Sequence, residues 1–117
     1  MKKLYLISFL LLFIGFASAQ TLVQSGQWTV SSASDKYSLD SNQGERTMTL
    51  DVDFDRPFET KPDVFLSVTL GDLSNATNAR FTVEAMSVSR DGFTIKVRTW
   101  ADSKIFSIGG YWLAHAD

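Results

Sequence analysis

Three side chains stand where they could grip a polar ligand. Arg80 closes a polar loop, Trp100 ends an alternating run, and Asp102 comes two residues later. Sugars present an apolar face of C–H groups and a rim of hydroxyls. A site for them needs an aromatic ring against the C–H face and forked donors or carboxylates for the rim. The stretch Ser31 to Gly44, rich in Ser, Asp and Asn, adds further polar groups. Composition alone is equally compatible with Trp100 as an ordinary packed aromatic.

Catalytic chemistry finds less support. The chain has one histidine, His115, third from its end, and no cysteine. A chain end is a poor place for a rigid general base, and a cysteine nucleophile is impossible. Zinc sites draw on several Cys or His ligands, so no metal is expected there. Asp51, Asp53 and Asp55 alternate along one run and could in principle hold calcium. They lack the glycine and the distant glutamate of a calcium loop, so a solvated face that discourages edge pairing is the simpler reading. The chain is expected to be no enzyme and to need no cofactor. Asn75-Ala76-Thr77 fits the N-glycosylation pattern, a short motif that also arises by chance.

The elements that must position these residues read as strands throughout. A first strand is expected over Thr21 to Val30. A second carries Met48, Leu50, Val52 and Phe54 on one face, with Thr47, Thr49, Asp51, Asp53 and Asp55 on the other. Pro57 and Pro62 punctuate the connection after it. A third strand runs from Asp63 to Leu70 and leads into a polar loop, Gly71 to Ala79. The fourth begins near Arg80, and its apolar parity switches near Ala85, which suggests a bulge or bend. Arg90-Asp91-Gly92 reads as a hairpin turn. The fifth strand sets Phe93, Ile95 and Val97 against Lys96, Arg98 and Trp100. Ala101-Asp102-Ser103 turns the chain into a last strand, Lys104 to Ala114. Its Gly109-Gly110 pair suggests a bulge or a close backbone approach. Six strands without a crossover helix make the expected fold all-β, a six-stranded antiparallel β-sandwich.

The N-terminus has the layout of a secretory signal peptide: Lys2 and Lys3, an apolar run from Leu4 to Phe16, and the small-residue pattern Ala17-Ser18-Ala19. The run is shorter than a membrane span needs. The expected division is a signal peptide over 1–19 and one domain over 20–117, in a secreted protein. Cleavage would leave 98 of the 117 residues, with nine basic against 13 acidic side chains, a net charge of −4. An acidic chain without a basic cluster is a poor nucleic-acid binder, and no amphipathic helix suggests membrane insertion. A domain this small without disulfides must find its stability in packing, in assembly, or in both.

A series of landmarks sharpens the reading. In order they are Gln24-Ser25-Gly26, the alternating strand ending at Phe54, Pro62-Asp63-Val64, Leu66-Ser67-Val68-Thr69, Asp72 and Asn78-Ala79-Arg80. Ser87-Val88-Ser89, Gly92-Phe93, Thr99-Trp100 and Tyr111-Trp112-Leu113 complete it. In order and spacing the series resembles the H-type lectin domain, the family of the snail agglutinin and the discoidin C-terminal domain.

That resemblance implies a sandwich that assembles as a homotrimer, or as a hexamer of two trimers. It implies sugar sites in the clefts between protomers, with a preference for galactose or N-acetylgalactosamine. Arg80 matches the family's ligand-contacting arginine and Trp100 its site tryptophan. Phe106 stands where the snail lectin has a tyrosine. The loop with Asp40, Ser41, Asn42 and Gln43 corresponds to the neighbouring protomer's contribution. Without gaps Gln43 takes the place of the family's acidic residue; a small loop shift brings in Asp40. The snail lectin has a histidine directly after the tryptophan, and this chain has Ala101, so Asp102 is a candidate to replace the lost polarity. The competing expectation is a structural or adhesive trimerisation module without sugar binding.

Overall fold

The computed structural model describes residues 22–117. The expected signal peptide lies outside the described residues. The chain forms seven strands: β1 (Leu22–Ser31), β2 (Arg46–Asp53), β3 (Asp63–Leu66), β4 (Leu70–Leu73), β5 (Phe81–Met86), β6 (Gly92–Thr99) and β7 (Ile105–Ala116). All pairings are antiparallel. In sheet 1, β7 is central, with β1 on one edge and β3 then β4 along the other. Sheet 2 has the order β2-β6-β5. Among the described residues no helix is long and apolar enough to cross a membrane.

The period-two patterns form the core where the sequence places them. Phe93, Ile95 and Val97 of β6 are buried, and Met48, Leu50 and Val52 of β2 pack against them. Sheet 1 contributes Trp28, Val30, Ile108, Trp112 and Ala114. Aromatic rings join the two sheets. Phe93 meets Trp112 edge-on at 5.5 Å, and Phe54 lies 4.9 Å from Phe58 and 5.8 Å from Trp112. Such ring pairs add about 0.5–1.5 kcal/mol beyond their burial.

Seven strands replace the expected six because the third splits. The register steps from Leu66↔Trp112 to Leu70↔Gly109, four residues on the edge strand against three on β7. Ser67 causes the break. Its carbonyl accepts the Trp28 indole N–H at 3.2 Å, and its hydroxyl takes the Tyr111 N–H at 3.1 Å. Gly110 permits this approach: a Cβ there would lie 1.9 Å from the Ser67 carbonyl oxygen. The close backbone contact expected at Gly109-Gly110 is therefore present. The polar loop expected from Gly71 begins only after Leu73, because β4 takes its first residues.

Two boundaries also move. The parity switch expected near Ala85 falls at the end of β5, where Ser87 turns in the left-handed region at φ 53°. The last strand reaches Ala116, with His115 opposite both Val23 and Asp63.

Candidate functional site

At one end of the sandwich, the turn after β6 meets the loop between β1 and β2. Trp100 to Ser103 make the turn, with the Ser103 N–H donating to the Trp100 carbonyl at 3.4 Å. Ala101 sits there at φ 58°, a conformation that costs a residue with a Cβ about 1–2 kcal/mol. The Gly44 N–H donates to the Ala101 carbonyl at 3.0 Å and helps hold it.

Arg80 is fixed from both sides of its backbone. Its N–H donates to the Ser103 hydroxyl at 3.1 Å, and its carbonyl accepts the Thr99 hydroxyl at 2.6 Å. Ser103 and Thr99 are fully buried. The Ser103 hydroxyl also donates to the Asn78 carbonyl and receives Arg80 Nη1 at 3.4 Å. The guanidinium then reaches Asp102, Nη1 to Oδ1 2.7 Å, with the arginine about one-third exposed. The sequence-expected Arg80 and Asp102 thus form one preorganised ion pair on the surface.

Trp100 stands over a second pair. Arg98 lies 4.6 Å from the centroid of its ring, and Arg98 Nε reaches Glu45 Oε1 at 3.1 Å. One face of the indole is occupied by that guanidinium, so a ligand must use the other face or the edge. Neither Arg98 nor Glu45 is among the residues expected from the sequence. The signal for Arg98 is its parity, two residues before Trp100 on the same face of β6.

The Asp40–Gln43 loop is brought to the same end of the molecule. The Lys104 ammonium donates to the Asn42 carbonyl, and the Ile105 N–H donates to the Leu39 carbonyl at 2.9 Å. Ser41, Asn42 and Gln43 are exposed. Asp40 lies beside Tyr37, whose hydroxyl donates to the Ile105 carbonyl at 2.5 Å. Burial, with a smaller push from the Asp40 carboxylate, raises the Tyr37 phenol from its ordinary 10.0 to about 12. Phe106 is 40% exposed, and its carbonyl accepts the Ser32 N–H at 2.9 Å. No ring pair or hydrogen bond joins the Phe106 side chain to Arg80 or Trp100 among the described residues.

The residue most clearly missed is Arg46. It is buried, and among the described residues its guanidinium donates only to backbone carbonyls, those of Gly44, Ser41 and Ala101. It shares the inward parity of Met48 and Leu50, so a charge at that parity was the available signal. Among the described residues no three His, Cys, Asp or Glu side chains cluster as a metal site. Asp51 accepts the Thr94 hydroxyl at 2.8 Å, while Asp53 and Asp55 face solvent.

The chain is similar to several known proteins. It is 34% identical to "ATP synthase subunits region ORF 7" of Fuscovulum blasticum, over 63% of this chain and 64% of that protein. It is 30% identical to a discoidin-1 polypeptide of Dictyostelium discoideum, over 70% of this chain and 33% of that one. The chain thus spans less than two thirds of the length of these relatives. The solved structure of discoidin II from Dictyostelium discoideum shares its fold, with a TM-score of 0.74, 21% identity, and coverage of 84% of this chain and 37% of that one. The profile of the H-type lectin domain matches residues 49–115, which contain Arg80, Trp100 and Asp102, and the chain belongs to the H-type lectin domain family.

Proposed function

We propose that this protein is a secreted lectin that binds galactose or N-acetylgalactosamine-type glycans, with residues 1–19 as a removed signal peptide and 20–117 as the binding domain. The observation that carries this reading is the Arg80–Asp102 pair held at 2.7 Å beside Trp100. A guanidinium and a carboxylate fixed together offer donors and acceptors to adjacent sugar hydroxyls, and an indole edge or face takes the C–H patch. Asp102 thereby supplies polarity that Ala101 does not.

The site is open, which fits completion by a second protomer. The Asp40–Gln43 loop and Phe106 are the candidates for contacts across such a boundary. Homotrimerisation has a second support. The outer face of sheet 1 exposes Val23, Phe65, Tyr111 and Leu113, with Phe65 61% exposed. An exposed apolar patch of this kind supports the reading of an interaction surface.

The alternative is a trimeric structural or adhesive module that binds no sugar. Two observations favour it: Ala101 offers no side-chain donor, and Arg98 occupies one face of Trp100. A glycan array decides between them. Binding to galactose-type glycans, abolished by Arg80→Ala with the fold intact, is the expected result. An intact trimer that binds nothing on the array would establish the module instead.

A further inference from the structure

Arg46 opens β2 opposite Thr99 of β6, with only 7% of its surface exposed. Its guanidinium makes three hydrogen bonds: Nε to the Gly44 carbonyl at 3.0 Å, Nη1 to the Ser41 carbonyl at 2.9 Å, and Nη2 to the Ala101 carbonyl at 3.0 Å. Among the described residues no carboxylate pairs with it. A buried cation answered only by main-chain carbonyls is a poor device for stability alone, since apolar packing of similar volume serves as well or better. It is a good device for geometry, because the guanidinium is a rigid planar fork whose donors have fixed directions.

The three carbonyls come from two segments. Ser41 and Gly44 lie in the loop before β2, and Ala101 lies 55 residues after Arg46, between Trp100 and Asp102. Both segments contain a non-glycine residue in the left-handed region, Asn42 at φ 61° and Ala101 at φ 58°. Asn tolerates that region, whereas Ala101 adopts it only at a cost and needs support from its surroundings. The Gly44 N–H on the Ala101 carbonyl adds a direct strap between them.

We propose that Arg46 is the positioning residue of the glycan site, coupling the Ser41–Gly44 loop to the Trp100–Asp102 turn so that the two order and loosen as one unit. The glycan part of this statement rests on the lectin reading above. The coupling does not. If the loop serves a neighbouring protomer's site while the turn serves its own, one clamp registers both.

The test compares Arg46→Met and Arg46→Lys with the wild-type protein, and with Leu50→Ala as a variant that loses stability without touching the clamp. Amide hydrogen exchange is read for residues 41–44, residues 101–103 and the β1–β7 ladder, and N-acetylgalactosamine affinity is read in parallel. Arg46→Met is expected to accelerate exchange at least tenfold in both segments together, with the ladder unchanged, and to weaken N-acetylgalactosamine binding by a similar factor. Arg46→Lys, which keeps the charge and can keep one bond, falls between; if the Met variant does not fold, the Lys variant decides. Leu50→Ala leaves affinity unchanged at comparable loss of melting temperature. Loosening of the loop with an unmoved turn overturns the coupling. Coupled loosening with unchanged affinity overturns the positioning role. A wild-type protein that binds no glycan refutes the lectin reading and with it the positioning role, while the exchange data still decide whether Arg46 couples the two segments.

Discussion

The two sheets share a core but present opposite outer faces. On sheet 2 the outward rows are Thr47–Arg98–Thr82 and Thr49–Lys96–Glu84, and Asp51 is hydrogen-bonded to Thr94 in the next row. That face is polar and charged of both signs, apart from the exposed Met86 at the end of β5. On sheet 1 the corresponding rows are Ser25–Leu113–Phe65 and Gln27–Tyr111, with Val23 beside them. Here Phe65, Tyr111, Leu113 and Val23 form an exposed apolar patch, bordered by polar Ser25, Gln27, His115 and Asp63. β7 alternates Tyr111 and Leu113 with the buried Trp112 and Ala114, so it is apolar on both sides. Sheet 1 therefore exposes the larger apolar patch of the two.

The largest effect should come from spoiling that face. Phe65 and Leu113 are cross-strand neighbours, so Phe65→Asp with Leu113→Lys places opposite charges together and spares the fold. Light scattering should report an oligomer for the wild type and a monomer for the double variant. Binding to a glycan-coated surface should fall about 100-fold or more with the loss of avidity. The mirror experiment on sheet 2, Thr49→Asp, should change neither. A monomeric wild type would remove the distinction between the faces.

A smaller effect separates the seam between β7 and Ser67 in sheet 1 from the loop at the candidate site. A Cβ on Gly110 meets the Ser67 backbone, which has no flexible end to give way. Gly110→Ala should cost about 3 kcal/mol in urea unfolding, the upper range for overpacking. Gly44, at φ 86°, has nothing within 4 Å of a Cβ. Gly44→Ala should cost only the left-handed strain, about 1 kcal/mol. Equal costs at the two positions would mean that the Ser67–Gly110 contact relaxes freely.

These contrasts show what the sequence could reveal. Alternation along Met48–Val52 and Phe93–Val97 is a local property, so sheet 2 and its wet face were legible. The division of β3 from β4 was not, because it depends on the Trp28 indole reaching Ser67 across β7. Arg80, Trp100 and Asp102 were picked out in the sequence as candidates; the structure pairs Arg80 with Asp102 and sets Arg98 over Trp100. Their supports were less so: Ser103 and Thr99 are ordinary residue types whose roles come from burial. Arg46 was readable only as a charge at an inward parity. Phe106 entered by resemblance, and among the described residues no ring pair or hydrogen bond joins its side chain to Arg80 or Trp100.

The smallest expected effect concerns the loop that crosses from sheet 1 to sheet 2. Tyr37 fastens it to β7 through its hydroxyl and the Ile105 carbonyl. Its phenol, raised from 10.0 to about 12, holds its proton more tightly in the folded protein than in the unfolded chain. The resulting stabilisation is fully present below pH 10 and is lost as pH rises through about 12. Tyr37→Phe removes the hydrogen bond, worth about 1 kcal/mol, and the titration with it. The gap in melting temperature between wild type and Tyr37→Phe should therefore be constant up to about pH 10 and close toward pH 12. A gap that stays constant across that range would mean that the loop is held by its backbone bonds alone. The end of the sandwich would then owe its order to the Arg46 and Gly44 contacts with Ala101 rather than to the Tyr37 hydroxyl.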